Sequence, residues 1–161
     1  MLNFLKKHKS YIVSLIISLG VGILSALLTM KNNNIEEVFR QPPGTPPAFI
    51  FPIVWTVLFI LMGISAAIVF ENRKNAPSEA RNGLCYYAMS LVVNFSWSII
   101  FFNLKAIFIA ALWIVFLLFL IIMTAVKYFK VKPIAAFLQI PYIIWVSYAT
   151  YLTFGIFILN M

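Results

Sequence analysis

The chain has 161 residues, of which 63% are apolar and 10% are charged, against roughly 25% charged in an ordinary soluble domain. This composition excludes a soluble globular protein and a disordered tail, because too few polar residues are present to cover a core or to stay solvated. The formal net charge of +8 does not indicate a nucleic-acid-binding domain, since the basic residues flank apolar stretches as membrane insertion requires. The composition therefore predicts an integral membrane protein with one domain.

Residues of the kinds used in acid–base and metal chemistry are scarce. Cys85 is the single cysteine, His8 is the single histidine, and the sequence contains no aspartate. These counts leave no intramolecular disulfide, no Ser-His-Asp triad and no set of metal ligands. We expect no metal site, no built-in cofactor and no conventional catalytic residue.

Five charge-free apolar stretches are each long enough to cross a membrane as a helix, which takes about 20 residues. In chain order they are residues 11–30, 49–70, 84–102, 106–126 and 133–159. Hydrocarbon offers backbone groups no partner, so we expect an all-α bundle of five transmembrane helices in a single domain, residues 1–161. The first stretch follows the basic residues 6–9 but is too long for a signal peptide, and we expect a retained anchor.

Prolines mark the connections and two of the spans. The long connection, residues 31–48, contains four prolines and a glycine, which predicts a stiff, irregular segment without helix and a candidate lid. Pro133 suits the first turn of the fifth helix. Pro52 and Pro141 lie inside apolar stretches, where each is expected to kink or loosen its helix.

The distribution of lysine and arginine predicts the orientation. Nine basic residues fall on the side of the N-terminus and three on the other side. Basic residues are retained in the cytoplasm, so we expect a cytoplasmic N-terminus, with the C-terminus and residues 31–48 outside. No transit peptide is visible, which favours a bacterial plasma membrane.

Polar amides within the spans need hydrogen-bond partners, because an unmet polar group in hydrocarbon costs several kcal/mol. Asn94 lies near the middle of the third span. Two interpretations stay open for it, helix–helix packing and contact with a ligand. For Gln139 in the fifth span, packing is favoured.

Three of the four tryptophans belong to stripes at helical spacing. The stripes are Trp55 with Phe59 and Met62, Trp97 with Ser90, Asn94 and Phe101, and Trp145 with Tyr142, Ala149 and Leu152. If these faces converge, they form an apolar aromatic pocket in the outer half of the bundle, suited to a flat apolar ligand. Periodicity alone favours the plainer interpretation, in which the rings face lipid or fill the core.

Three strings of the sequence carry a family resemblance. They are PPGTPPAFIFPIVWTVLFILMG (residues 42–63), NFSWSIIFF (residues 94–102) and PYIIWVSYATYL (residues 141–152), followed by Leu159-Asn160. Together they resemble the TspO/MBR family, the tryptophan-rich sensory proteins related to the mitochondrial translocator protein (peripheral benzodiazepine receptor). The resemblance implies a five-helix bundle, often a homodimer.

The resemblance also implies ligands and a site. Family members bind porphyrins such as protoporphyrin IX, and isoquinoline and benzodiazepine-type molecules, in a pocket beneath the first long loop. The implied ligand-binding positions are Pro46, Pro47, Trp55, Phe59, Asn94, Trp97, Trp145 and Ala149. The stripe of the fifth span adds Tyr142. Trp55 and Trp145 match the pair implicated in light-dependent breakdown of bound porphyrin in bacterial members.

The sequence departs from the family pattern in the loop and in the fifth span. Gly44 stands where many members have tryptophan, Ile35 and Glu36 stand where many have an aromatic pair, and Leu152-Thr153 replaces Leu-Asn. The loop therefore has less aromatic surface. The resemblance therefore does not establish porphyrin affinity or turnover. The part of the pocket below the loop still matches the family pattern.

Four functions remain, of which we favour a membrane sensor or regulator that binds a porphyrin or another apolar small molecule, with membrane lipid around it and no nucleic acid. Photo-oxidation of bound porphyrin is a second function that would accompany this binding, with the indoles of Trp55 and Trp145 as electron donors. Passive transport of apolar ligands is a third function, although no ionisable residue in the spans offers a proton or ion relay. The fourth function is a structural role, for which no feature of the sequence argues. Porphyrin propionates would lie near Lys31 or Arg40.

Overall fold

The computed structural model describes residues 8–32 and 34–161. Within these ranges five helices are long and apolar enough to cross a membrane. The predicted all-α membrane architecture is thus confirmed. Lys6 and Lys7, part of the basic segment before the first span, lie outside the described residues.

The helices follow one another with short connections. The first span is α1 (Lys9–Thr29), followed by a 3₁₀ turn (Met30–Asn32) and the short helix α2 (Ile35–Val38). The second span is α3 (Ile50–Glu71), and the third is α4 (Pro77–Ser98), which continues into a π turn (Ile99–Asn103). The fourth span is α5 (Ile107–Val131), and the fifth consists of α6 (Pro133–Phe137) and α7 (Ile140–Leu159).

Two helices extend beyond the predicted apolar stretches. The third helix begins at Pro77 rather than Leu84, and the fourth ends at Val131 rather than Val126, because a helix continues beyond the hydrocarbon where charged side chains can reach water. Residues 31–48 were expected to contain no helix, yet they include α2. Its first residue, Ile35, is buried in the core and holds this turn against the bundle.

The three prolines of the spans behave differently. Pro133 opens α6, as predicted. Pro52 is the third residue of α3, where a backbone N–H would have no intrahelical partner anyway, so the predicted kink there is wrong. The fifth span is interrupted at Leu138 and Gln139, because Pro141 has no N–H to donate to the carbonyl four residues earlier. The predicted loosening near Pro141 is confirmed.

The spans pack as a ring in the order first, second, fifth, fourth, third, with the third closing on the first. The backbones of the second and fifth spans approach each other chiefly at α6. Along α7 the two spans are therefore connected mostly by side chains. The ring has two ends. The loop face carries residues 30–32 and 34–49, the turn at 103–105 and the C-terminus, and the basic face carries residues 72–76 and the turn at 131–133.

Buried polar side chains among the described residues are uncharged: Ser18, Thr29, Ser65, Ser90, Asn94, Thr124, Gln139 and Thr153. Gln139 donates to the Ser65 hydroxyl at 3.0 Å, and Ser65 donates to the Ala135 carbonyl at 2.7 Å. These bonds join the second span to the break in the fifth. They show the packing role that the sequence favours for Gln139.

Candidate functional site

Aromatic side chains of the second and fifth spans meet in the half of the bundle nearer the loop face. The ring centroids of Trp55 and Tyr142 lie 6.1 Å apart, and those of Phe51 and Trp145 lie 5.8 Å apart, both pairs edge to face. Phe59 lies one turn below Trp55, at 5.7 Å. We call Phe51, Trp55, Phe59, Tyr142 and Trp145 the aromatic cluster. Edge-to-face pairs add attraction beyond the burial of area, so these rings hold the two spans together.

The floor of the aromatic cluster is polar. Tyr142 is fully buried, and its hydroxyl accepts a hydrogen bond of 3.0 Å from the amide of Asn94. Asn94 is itself 3% exposed, so this bond joins the third span to the fifth in an apolar interior. The packing contact of Asn94 is present, and its contact with a ligand stays a prediction.

The indole N–H of Trp145 is the distinctive polar group of the aromatic cluster. Its Nε1 atom is buried and has no hydrogen-bond partner. By contrast, Trp97 donates to the carbonyl of Ala110 at 3.1 Å, and Trp113 donates to the hydroxyl of Ser96 at 2.9 Å. A buried donor without an acceptor costs about 1–3 kcal/mol, and a ligand acceptor placed there would remove that cost.

Trp97 lies in a different part of the bundle. Its ring stacks on Phe101 at 4.9 Å and meets Phe102 at 6.2 Å, and its N–H faces the fourth span. No ring contact within the described part of the chain joins it to the aromatic cluster. Two of the three predicted stripes therefore meet, and the bond from Asn94 to Tyr142 connects the stripe of Trp97 to them.

The part of the fifth span nearer the loop face adds small and aliphatic groups beside the rings. Ala149 lies one turn beyond Trp145 and is buried, as is Leu152. Thr153, where many family members have asparagine, donates to the carbonyl of Ala149 at 2.7 Å. Its hydroxyl is therefore satisfied within its own helix.

Two tyrosines of the fifth span bind the backbone of the proline loop, residues 40–48. The hydroxyl of Tyr148 donates to the carbonyl of Gly44, and that of Tyr151 donates to the carbonyl of Pro43 at 3.0 Å. The φ of Gly44 is 87°, a conformation that glycine adopts at no steric cost. Glycine at this departure from the family pattern thus fits the turn that presents its carbonyl to Tyr148.

The same loop is bound at two further points. The backbone N–H of Arg40 donates to Oδ1 of Asn160 at 3.0 Å, and Nδ2 of Asn160 donates to the carbonyl of Arg40 at 3.1 Å. Buried Pro42 packs on Gly155, where an added Cβ would lie 2.6 Å from the Cβ of Pro42. The proline loop is therefore docked on the fifth span over most of its first half.

The predicted loop positions Pro46 and Pro47 lie between this docked part and the second span. Pro46 is half-buried and Pro47 is exposed. The carbonyl of Pro47 accepts from the N–H of Ile50 at 3.0 Å, the first residue of α3. These prolines thus join the loop to the helix that carries Trp55.

Sequence reasoning missed Phe51, Tyr148, Tyr151, Gly155 and the role of Asn160. One signal was available for the two tyrosines. They stand three residues apart on the face that continues from Trp145, and the rings of Tyr148 and Trp145 lie 5.7 Å apart. No comparable signal marked the loop carbonyls to which they bind.

The fold and the site define an integral membrane protein with an aromatic cluster beside a docked proline loop, and with five spans in the part of the chain that the structure describes. The family pattern of TspO/MBR matches residues 13–159. The chain therefore belongs to the TspO/MBR family.

Named relatives agree with this assignment. The chain is 38% identical over 145 residues to the tryptophan-rich protein TspO of Chlorobaculum tepidum, covering 88% of this chain and 90% of the relative. It is 30% identical over 131 residues to the tryptophan-rich sensory protein of Cereibacter sphaeroides, with coverage of 81% and 80%. It is 27% identical over 141 residues to the translocator protein of Sus scrofa, with coverage of 88% and 83%.

Proposed function

We propose that the chain is a membrane sensor or regulator that binds protoporphyrin IX-like tetrapyrroles, and isoquinoline or benzodiazepine-type molecules, in the aromatic cluster. The observation that carries this proposal is the buried, unpartnered N–H of Trp145 among rings from two spans. A flat apolar ligand stacks on such rings at little entropic cost. A single convergent donor would then fix its orientation.

Ligand binding requires the aromatic cluster to open, because its rings touch one another. Along α7 the second and fifth spans are bridged mainly by these side chains, so this seam separates with the least loss of backbone contact. The docked half of the proline loop would move with the fifth span. Polar edges of a porphyrin would remain at the loop face, where the side chains of Arg40 and Lys31 are exposed.

The test replaces single indoles by phenyl rings and follows the Soret band of added protoporphyrin IX. We expect saturable binding with a Kd on the order of 1 μM, about 8 kcal/mol. Trp145→Phe keeps an aromatic ring and removes the donor, so affinity falls about two- to tenfold. Trp113→Phe is the matched control, since that indole already donates to Ser96. Equal losses in the two variants would contradict the proposed site.

Light-dependent breakdown of bound porphyrin is the second candidate. It is favoured by the position of two oxidisable indoles in one cluster, Trp55 against Tyr142 and Trp145 against Phe51. The porphyrin absorbs the light, and the chain supplies position and electron donors. We expect illumination of the complex in air to bleach the Soret band, and the Trp55→Phe/Trp145→Phe double variant to slow this bleaching at saturating porphyrin. Unchanged bleaching in that variant would rule out the indole role.

A further inference from the structure

A groove on the basic face lies far from the aromatic cluster, between the end of the second span and the start of the third. Its volume is about 410 Å³. Phe70, Pro77 and Leu84 form its apolar wall, and Arg73, Lys74 and Arg81 form its edge. We call it the basic groove. The basic groove combines apolar and cationic surface at the level where the spans leave the hydrocarbon.

The three cations of the basic groove are not neutralised by neighbouring carboxylates. Both ion pairs found within the described part of the chain are made by Glu79, with Lys127 at 2.9 Å and Lys130 at 3.5 Å. Glu71, at the end of the second span, takes part in neither of these ion pairs. The basic groove therefore keeps its positive charge.

Arg73 is held in place for binding an anion. Its guanidinium lies 4.1 Å from the centroid of the Phe70 ring, and Nη1 donates to the Phe70 carbonyl at 2.6 Å. These contacts fix the plane of the guanidinium and leave its other N–H groups available. A fixed guanidinium fork matches the geometry of a phosphate group, to which it can donate two parallel hydrogen bonds.

We propose that the basic groove binds the head group of an anionic phospholipid. The phosphate lies between Arg73, Lys74 and Arg81, and one acyl chain follows Phe70 and Leu84 into the membrane. The apolar wall decides in favour of a lipid over a soluble anion, because it continues into lipid-facing surface, with Phe70 45% exposed. Basic pockets between transmembrane helices are typical sites for such head groups.

The experiment compares two lipids that differ in head group alone. Purified full-length protein in neutral detergent is titrated with dioleoylphosphatidylglycerol or dioleoylphosphatidylcholine, and retained lipid is counted by native mass spectrometry. We expect one phosphatidylglycerol per chain at concentrations where phosphatidylcholine is not retained. Equal retention of the two lipids would overturn the proposal.

Charge-matched variants locate the site. Arg73→Gln/Arg81→Gln should weaken phosphatidylglycerol binding about 30-fold, as expected for two basic groups at a lipid surface. Lys9→Gln/Lys132→Gln removes the same charge from exposed positions outside the groove and should leave binding unchanged. If circular dichroism shows that the double variant does not fold, Lys74→Gln tests the site instead, with an expected loss of about fivefold in affinity for phosphatidylglycerol. Equal losses in the two double variants, or displacement of the lipid by millimolar inorganic phosphate, would contradict a lipid site.

Discussion

The hydrogen bond between Asn94 and Tyr142 joins two buried side chains of different spans. It is the floor of the aromatic cluster and connects the third span to the fifth. Each partner is buried, so removing either one leaves the other unsatisfied in an apolar environment, whereas removing both costs less than the sum.

A double-mutant cycle measures this bond. Asn94→Leu and Tyr142→Phe should each lower the free energy of unfolding, and their coupling should be about 0.6–2 kcal/mol, the range of interhelical hydrogen bonds in membranes. Unfolding by SDS in mixed micelles supplies the measurement. Asn72→Leu is the control, because that amide donates only to Ile68 in its own helix. Strictly additive effects would show that the bond contributes no stability.

Residue spacing predicted part of the site and had no means of predicting the rest. Trp55 with Phe59, and Tyr142 with Trp145, share faces because helical geometry fixes which side chains point together. The rotation of each helix about its axis is set by its neighbours. Trp97 turns to the fourth span to reach the Ala110 carbonyl, an acceptor that leaves no mark in the sequence.

Among the elements, the proline loop shows most clearly what lies beyond local sequence reasoning. Its prolines predicted a stiff segment. Its docking depends on backbone groups of Arg40, Pro43 and Gly44 meeting side chains more than 100 positions away. Backbone acceptors look alike at every residue, so only the packing of the fifth span against the loop identifies them.

Asn160 should control how firmly the proline loop is docked. Asn160→Ala removes both hydrogen bonds to Arg40, so the Arg40–Gln41 bond should open more often and be cut by trypsin about tenfold faster. Peptide mass spectrometry over a time course measures this rate. Ser147→Ala is the control on the same helix, because Ser147 donates only to Ile143. Equal cleavage rates for Asn160→Ala and the unaltered chain would show that other contacts hold the loop.

For the whole molecule, the number of spans was predictable and their arrangement was not. The length of an apolar stretch is a local property, and it indicates a spanning helix wherever it reaches about 20 residues. The order of the ring depends on side-chain contacts between distant stretches, such as Gln139 with Ser65. Charge, in contrast, predicts a property of the whole chain that the ring alone leaves open, which is its orientation in the membrane.

The two faces of the ring predict the orientation in the membrane. Among the described residues, the basic face carries seven basic residues, including Arg73, Lys74 and Arg81, and the loop face carries three. Because basic segments are retained in the cytoplasm, the proline loop should lie outside. Alkaline phosphatase fused after Met161 should therefore be active in a bacterial host, and the same reporter fused after Asn75, on the basic face, should be inactive. The reverse pattern would place the aromatic cluster in the cytoplasmic half of the membrane, where a porphyrin would have to arrive from inside the cell.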